Sequence, residues 1–384
     1  MELISRLKLL SDPMSLEPAE ERPRAGTSPL KPHSCPEGLF VHPAQLPGGK
    51  QILLLKTLLT SACERDCYYC PFRAGRDFRR ATFQPEEFAR LFIQLVQKRA
   101  AEGIFLSSGI AGGSVRTEDK LLETADILRN KLGFRGYIHL KIMPGAERDQ
   151  VLRAMQLADR VSVNLEAPNT ARLAKLAPRK AFIEELLQPL RWVEEIRRST
   201  SPTSAWNRRW PSTVTQFVAG GADESDLELL TTTDWLNKNV GLKRAYFSAF
   251  HPIPNTPLEN KAAIDPLREH RLYQASFLLR DYGFDLEELP FTTEGNLPLP
   301  ADPKLAWAQI NLTEKPLEIN RAGRRELLRI PGIGPKGADA ILQARRHATL
   351  RELTSLKKLG IAVERAAPFV LLNGKRAAYQ ERLF

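Results

Sequence analysis

From about residue 51 the chain settles into one rhythm: a short β-forming apolar run, then a longer amphipathic stretch, six times over. Few architectures tolerate this, because parallel strands need a long crossover between them and a helix is the usual one. The strand-forming runs fall at about 51–60, 104–108, 137–143, 160–165, 213–219 and 244–250. Helical patterns follow at 85–102, 117–131, 147–158, 170–177 with 181–198, 223–239 and 266–282. Pro85 sits at a favourable first-turn position and Gly103 closes the first of them. The expected fold class is α/β: a partial (βα)6 parallel barrel, with an open doubly wound sheet as the alternative. In both, chemistry gathers where strands end at their carboxyl side. That rule selects the loops at 63–80, 107–116, 143–147, 166–179, 220–224 and 251–259. The aromatic-basic stretch 206–210 (WNRRW) precedes a strand, so a structural role on the opposite face is expected.

At 384 residues two domains are the natural expectation. Residues 1–50 carry eight prolines, Pro13 and Pro47 among them, and read as an irregular N-terminal arm. Residues 51–297 form the βα core, 298–310 (PLPADP at its start) a linker, and 311–384 a purely helical module. No apolar run approaches the ~20 residues that span a bilayer, and no secretory signal pattern opens the chain. A cytoplasmic protein with no membrane partner is expected. The net charge of +11 is uneven. Residues 311–384 hold 15 Lys+Arg and 7 Asp+Glu, a net of +8, against +3 for the rest. A basic surplus at one end suggests a polyanion partner there, the alternative being a charged, solvated surface.

Three of the four cysteines lie in eight residues, Cys63-Glu-Arg-Asp-Cys67-Tyr-Tyr-Cys70. In a cytosolic chain such clustering points to metal or redox chemistry rather than cross-links. Soft thiolates suit zinc or iron-sulfur sites. Structural zinc asks for four protein ligands, which Cys35, His33 or His42 could complete; without them one coordination position stays open. Cys35 reads as a buried thiol.

The C-x3-C-x2-C spacing, with an aromatic before the third cysteine and after the first strand of a βα series, resembles the radical S-adenosylmethionine superfamily over residues 51–290 or so. The resemblance implies a [4Fe-4S] cluster ligated by Cys63, Cys67 and Cys70, its fourth iron chelating S-adenosylmethionine. One-electron reduction then releases a 5′-deoxyadenosyl radical that abstracts a substrate hydrogen. An electron donor such as a flavodoxin or ferredoxin is implied too. Tyr69 would pack near the adenine. Where the superfamily carries a Gly-Gly-Glu-like motif, this chain reads Ser107-Ser108-Gly109, leaving Ser108 and Gly109 to offer hydroxyl or backbone contacts. Asn164 and Glu166 occupy places where ribose or methionyl contacts are common, and Gly220-Gly221 resembles an adenine-backing loop, with a plain turn as the alternative. The run with Arg73, Arg76, Arg79 and Arg80 is either a substrate or phosphate contact or a solvated face. His251 is either a proton donor or acceptor in the substrate pocket or a structural histidine beside prolines.

The segment 317–344, LEINRAGRRELLRIPGIGPKGADAILQA, resembles the helix-hairpin-helix motif of DNA repair and recombination proteins, with a weaker copy around Leu359-Gly360-Ile361. Gly332, Ile333 and Gly334 would bring backbone N–H groups and a helix N-terminus to a phosphate, with Lys336 adding charge. Such contacts do not read sequence. Together the two ends resemble a set of two-part proteins described as DNA modification or repair radical S-adenosylmethionine proteins. That resemblance implies DNA as partner; an RNA-modifying enzyme and a non-catalytic zinc or iron-sulfur nucleic-acid-binding protein are the alternatives.

Overall fold

The structure, a computed structural model, describes residues 2–17, 39–46 and 49–376. They divide into two compact units: residues up to Glu224 together with Trp235–Ile264, and Ser225–Asp234 together with the chain from Asp265 onward.

Seven strands of the first unit form one sheet in sequential order. β1 (His42–Gln45) runs antiparallel to β2 (Gln51–Leu58). β3 (Gly103–Ser107), β4 (Tyr137–Lys141), β5 (Arg160–Ser162), β6 (Ser212–Ala219) and β7 (Arg244–Ala249) then add in parallel, each beside its predecessor. A sheet wound in one direction only collects its crossover helices on one face. The other face is covered by curling, and the sheet is a curled half-barrel. Helices Pro85–Gln97, Ser114–Asp126, Arg148–Leu157 and Gln188–Ser199 pack side by side outside it. Their apolar stripes, such as Phe88, Leu91, Phe92 and Leu95, are buried.

Two features depart from the expected arm and linker. Leu3–Ser11 is a helix, followed by a 3₁₀ turn, Asp12–Leu16, and β1 adds order at 42–45. Leu7, Leu10 and Met14 are spaced one helical turn apart and lie at 0–1% exposure, so burial outweighs the flanking prolines. Cys35 and His33 lie outside the described residues. The expected linker at 298–310 contains a helix, Pro303–Asn311, capped by the Asp302 carboxylate, and the compact units divide at residue 265 rather than 298.

In the second unit, short helices Arg324–Leu327 and Pro335–Ala344 flank the turn at 331–334, and Leu353–Lys358 and Val363–Ala366 flank the turn at 359–361. Ile330, Ile333, Ala338, Ile341, Leu356 and Ile361 share one core. The module is not purely helical: Leu317–Glu318, Val370–Leu372 and Lys375–Arg376 form a small sheet. The last helical stretch closes in a 3₁₀ turn, Ala367–Phe369, and the following backbone finds its partners by pairing instead.

Candidate active site

The loop after β2 carries Cys63, Cys67 and Cys70, and its own backbone stitches it to its neighbours. Thr60 bridges Thr82 at its root. Glu64 N–H donates to Ile110 O (2.8 Å), Tyr68 N–H to Leu176 O (2.7 Å) and Ala74 N–H to Arg65 O (2.7 Å). The Arg65 guanidinium donates to Glu185 (2.6 Å) and to Arg179 O (2.7 Å). Gly109 is required here: a β-carbon would stand 2.3 Å from the Ala62 carbonyl oxygen. Gly109→Ala is therefore expected to push the strand end away from the cysteine loop and cost on the order of 1–3 kcal/mol, read as a lower thermal midpoint.

All three cysteines line one open cavity of about 1160 Å³ at the carboxyl end of the strands. Tyr69, Ser108, Gly109, Asn164, Glu166 and His251 line it as well. Their roles differ. Ser108 Oγ donates to the Gly109 carbonyl (2.8 Å). Asn164 Nδ2 donates to Gln216 Oε1 (3.3 Å). His251 is exposed at the rim. Glu166, at 3% exposure and with φ of 64°, accepts from Lys180 Nζ (3.1 Å) and from the Tyr69 hydroxyl. Burial opposes its charge, but Lys180 and Lys141 hold its carboxyl below the usual range. Burial likewise opposes the charge of Lys180, yet Cys67 and Glu166 keep its ammonium well above normal. Glu166 thus ties Tyr69 and Lys180 together under the cysteine loop. Lys180 was not read from the sequence; its signal was the Pro178-Arg179-Lys180 triplet closing the loop after β5.

Gly220 and Gly221 are not among the lining residues. The Glu224 carboxylate accepts from the N–H groups of Gly220 and Ala222, and a β-carbon on Gly221 would come within 2.7 Å of Leu176. They form a self-closed turn packed against Leu176 of the segment after β5. Arg73 and Arg76 are not among the lining residues either. Arg76 donates to the carbonyls of Pro71 (2.9 Å) and Pro254 (3.0 Å), and Arg80 caps four more, those of Ser61, Phe72, Arg73 and Arg76. Arg73 is half-buried over the Tyr68 ring. These arginines fasten the loop. In the 206–210 stretch Trp206 stacks 3.8 Å from the Arg129 guanidinium and lies outside the cavity lining.

One buried acid went unread: Glu118, at 0% exposure, accepts from the N–H of the cavity-lining Met143 (2.8 Å). Burial raises its carboxyl to about 8, so it holds that loop in a neutral or near-neutral form.

The donor chemistry fits an iron-sulfur cluster. Three thiols face one cavity, with the Lys180 ammonium lowering the pKa of Cys67 and Cys70 against a rise from burial, which takes Cys70 to about 12. Such thiols ionise when iron supplies the opposing charge. Among the described residues no three His, Cys, Asp or Glu converge as a cage for a single ion.

Residues 57–204 match the sequence profile of the Radical SAM superfamily. That stretch is similar to a radical SAM domain. Members of that superfamily use a [4Fe-4S] cluster and S-adenosylmethionine. Among curated proteins none matches the chain in sequence. Similar solved structures include a methylornithine synthase (15% identity over 59% of this chain and 62% of that one, TM-score 0.45). An FeFe-hydrogenase maturase from Carboxydothermus hydrogenoformans is similar at 16% identity over 59% and 51%, TM-score 0.46. A radical SAM methyltransferase from Sphaerobacter thermophilus is similar at 15% over 64% and 73%, TM-score 0.44. The chain spans 62% of the length of the methylornithine synthase and about half that of the maturase. Among the described residues no helix is long and apolar enough to cross a membrane.

In the second unit the hairpin glycines are explained largely by packing. Gly332, with φ of 83°, would place a β-carbon 2.5 Å from the Ala362 carbonyl oxygen, so it lets the two turns pack backbone to backbone. Ile333 is buried and its carbonyl accepts from Lys304 Nζ (2.6 Å). Gly334 caps helix Pro335–Ala344, and Lys336 is exposed on that helix's first turn.

Proposed function

We propose that the protein is a radical S-adenosylmethionine enzyme that modifies or repairs DNA, with Cys63, Cys67 and Cys70 as the cluster ligands. The observation that carries this reading is three thiols on one stitched loop facing one cavity within a stretch similar to a radical SAM domain. Reduction of such a cluster with S-adenosylmethionine bound supplies a 5′-deoxyadenosyl radical able to abstract hydrogen. The chain's own residues hold and shelter the reacting groups. Glu166 and Lys180 fix Tyr69 beside the cysteines, Ser108 and Gly109 offer hydroxyl and backbone contacts, and Asn164 adds a carboxamide. His251, exposed at the rim, exchanges a proton with substrate. A flavodoxin or ferredoxin supplies the electron, and the site of work is the cytoplasm.

DNA is favoured by the paired helix-turn-helix elements at 324–344 and 353–366 and the net +8 of residues 311–384. These resemble helix-hairpin-helix units, which engage phosphates through turn N–H groups and a helix N-terminus; here Gly332, Ile333, Gly334 and Lys336 would do so. Binding should be independent of sequence and fall steeply with salt, with log K changing by about −0.9 per phosphate contacted. Lys336→Glu is expected to weaken binding evenly across sequences and lower that slope by about one, read by fluorescence anisotropy on duplex DNA, single-stranded DNA and tRNA. Tighter binding of tRNA than of either DNA would favour the RNA reading.

A further inference from the structure

The inner face of the half-barrel is polar where a parallel sheet covered by helices is ordinarily apolar. Alternation along the strands sends Lys56, His139, Lys141, Ser162, Asn164 and Gln216 inward. Deep inside, His139 Nε2 bonds Ser162 Oγ (2.9 Å), and Arg160 donates to the Tyr246 hydroxyl (3.0 Å). One layer nearer the cysteines the pairing is incomplete.

Glu17 reaches that layer from the N-terminal segment. Its carbonyl accepts from Lys56 Nζ (2.7 Å), a lysine at 1% exposure. Its Oε1 accepts from Lys141 Nζ (2.7 Å) and Asn164 Nδ2 (3.4 Å), and Asn164 also donates to Gln216 Oε1 (3.3 Å). Glu17, Lys141, Asn164 and Gln216 all line the cavity. Among the described residues the second Glu17 oxygen, Asn164 Oδ1 and Gln216 Nε2 make no hydrogen bond, and they belong to residues that line the cavity. Polar atoms on the lining of a cavity are available to a group that enters it.

We propose that this floor of Glu17, Lys141, Asn164 and Gln216 binds the hydrogen-bonding edge of an amino-bearing nucleobase. The inference rests on the nucleic-acid reading above and adds which part of the substrate enters the barrel. A phosphate or carboxylate fits poorly, because Lys141 is already neutralised by Glu17, whose carboxylate would repel it. An aliphatic group would leave the unpaired acceptors and donor unmet. A carboxylate accepts from an exocyclic amine, and carboxamides pair with the adjacent ring acceptor and donor, as in base recognition elsewhere. Leu58, Ile142 and Val218 supply apolar walls for a planar ring. A base reaches such a floor only when unstacked from its duplex.

The test titrates the reconstituted full-length protein with deoxyadenosine, deoxycytidine, deoxyguanosine and thymidine, and separately with S-adenosylmethionine, by calorimetry. At least one amino-bearing nucleoside should bind more tightly than thymidine. Gln216→Leu and Glu17→Gln should each weaken that binding about tenfold, with S-adenosylmethionine affinity held within about twofold, which also reports an intact fold. Wild-type nucleoside binding untouched by either variant, or no binding of any nucleoside, overturns the proposal. So does a matching loss of S-adenosylmethionine affinity, which assigns the floor to the cofactor. These outcomes leave the nucleic-acid reading standing if duplex or single-stranded DNA still binds, whereas loss of all DNA binding by the wild type sinks that reading itself.

Discussion

Cys67→Ala will yield a folded protein that does not retain the roughly four irons per chain of the reconstituted wild type and that makes no 5′-deoxyadenosine. The thiol is at 6% exposure in the middle of the loop, between the other two ligands. Removing one sulfur from a tied-down loop costs the fold little, about 1 kcal/mol for a small cavity, while the cluster loses a third of its protein ligands. Cys63→Ala and Cys70→Ala should behave alike. Cys35→Ala should keep its iron, since the read ligand set omits it. Iron and sulfide analysis alongside circular dichroism separates ligand loss from unfolding; a Cys67→Ala protein with full iron would remove this cysteine from the ligand set.

Lys180→Met will destabilise the first unit by about 3–5 kcal/mol, because it strands a carboxylate inside. The Lys180 and Glu166 side chains are 8% and 4% exposed and 3.1 Å apart. The companion Glu166→Gln, Lys180→Met double variant removes both charges and should recover much of the loss, so a double-mutant cycle reads the coupling directly. Denaturant unfolding gives the numbers. A single variant within 1 kcal/mol of wild type would show the pair to be solvated, and the loop's anchor would then lie elsewhere.

The six βα units, the strand positions and the cysteine cluster were legible in the sequence because each rests on local pattern: apolar runs, helix punctuation and close spacing. The N-terminal helix was hidden by prolines scattered through the same fifty residues, since its Leu7, Leu10 and Met14 stripe makes sense only against a core elsewhere in the chain. The strand segments were read as uniformly apolar, and so the polar alternation His139-Lys141, Arg160-Ser162-Asn164 and Gln216 passed unnoticed, although it is written in plain period two. Lys180 and Glu17 could not be assigned from spacing at all. Each meets its partner across the fold, Lys180 from the loop after β5 and Glu17 from 124 residues before Lys141. Arg76 and Arg80 show what spacing does not reveal: in a run that reads as a ligand contact or a solvated face, these half-buried guanidiniums donate to loop carbonyls.

The most direct test of the central claim is anaerobic reconstitution of the wild-type chain with iron and sulfide, followed by dithionite and S-adenosylmethionine and an assay for 5′-deoxyadenosine. The account predicts its formation, dependent on reductant and abolished in Cys67→Ala. A chain that holds its full iron and sulfide and binds S-adenosylmethionine, yet yields no 5′-deoxyadenosine on reduction, would contradict it.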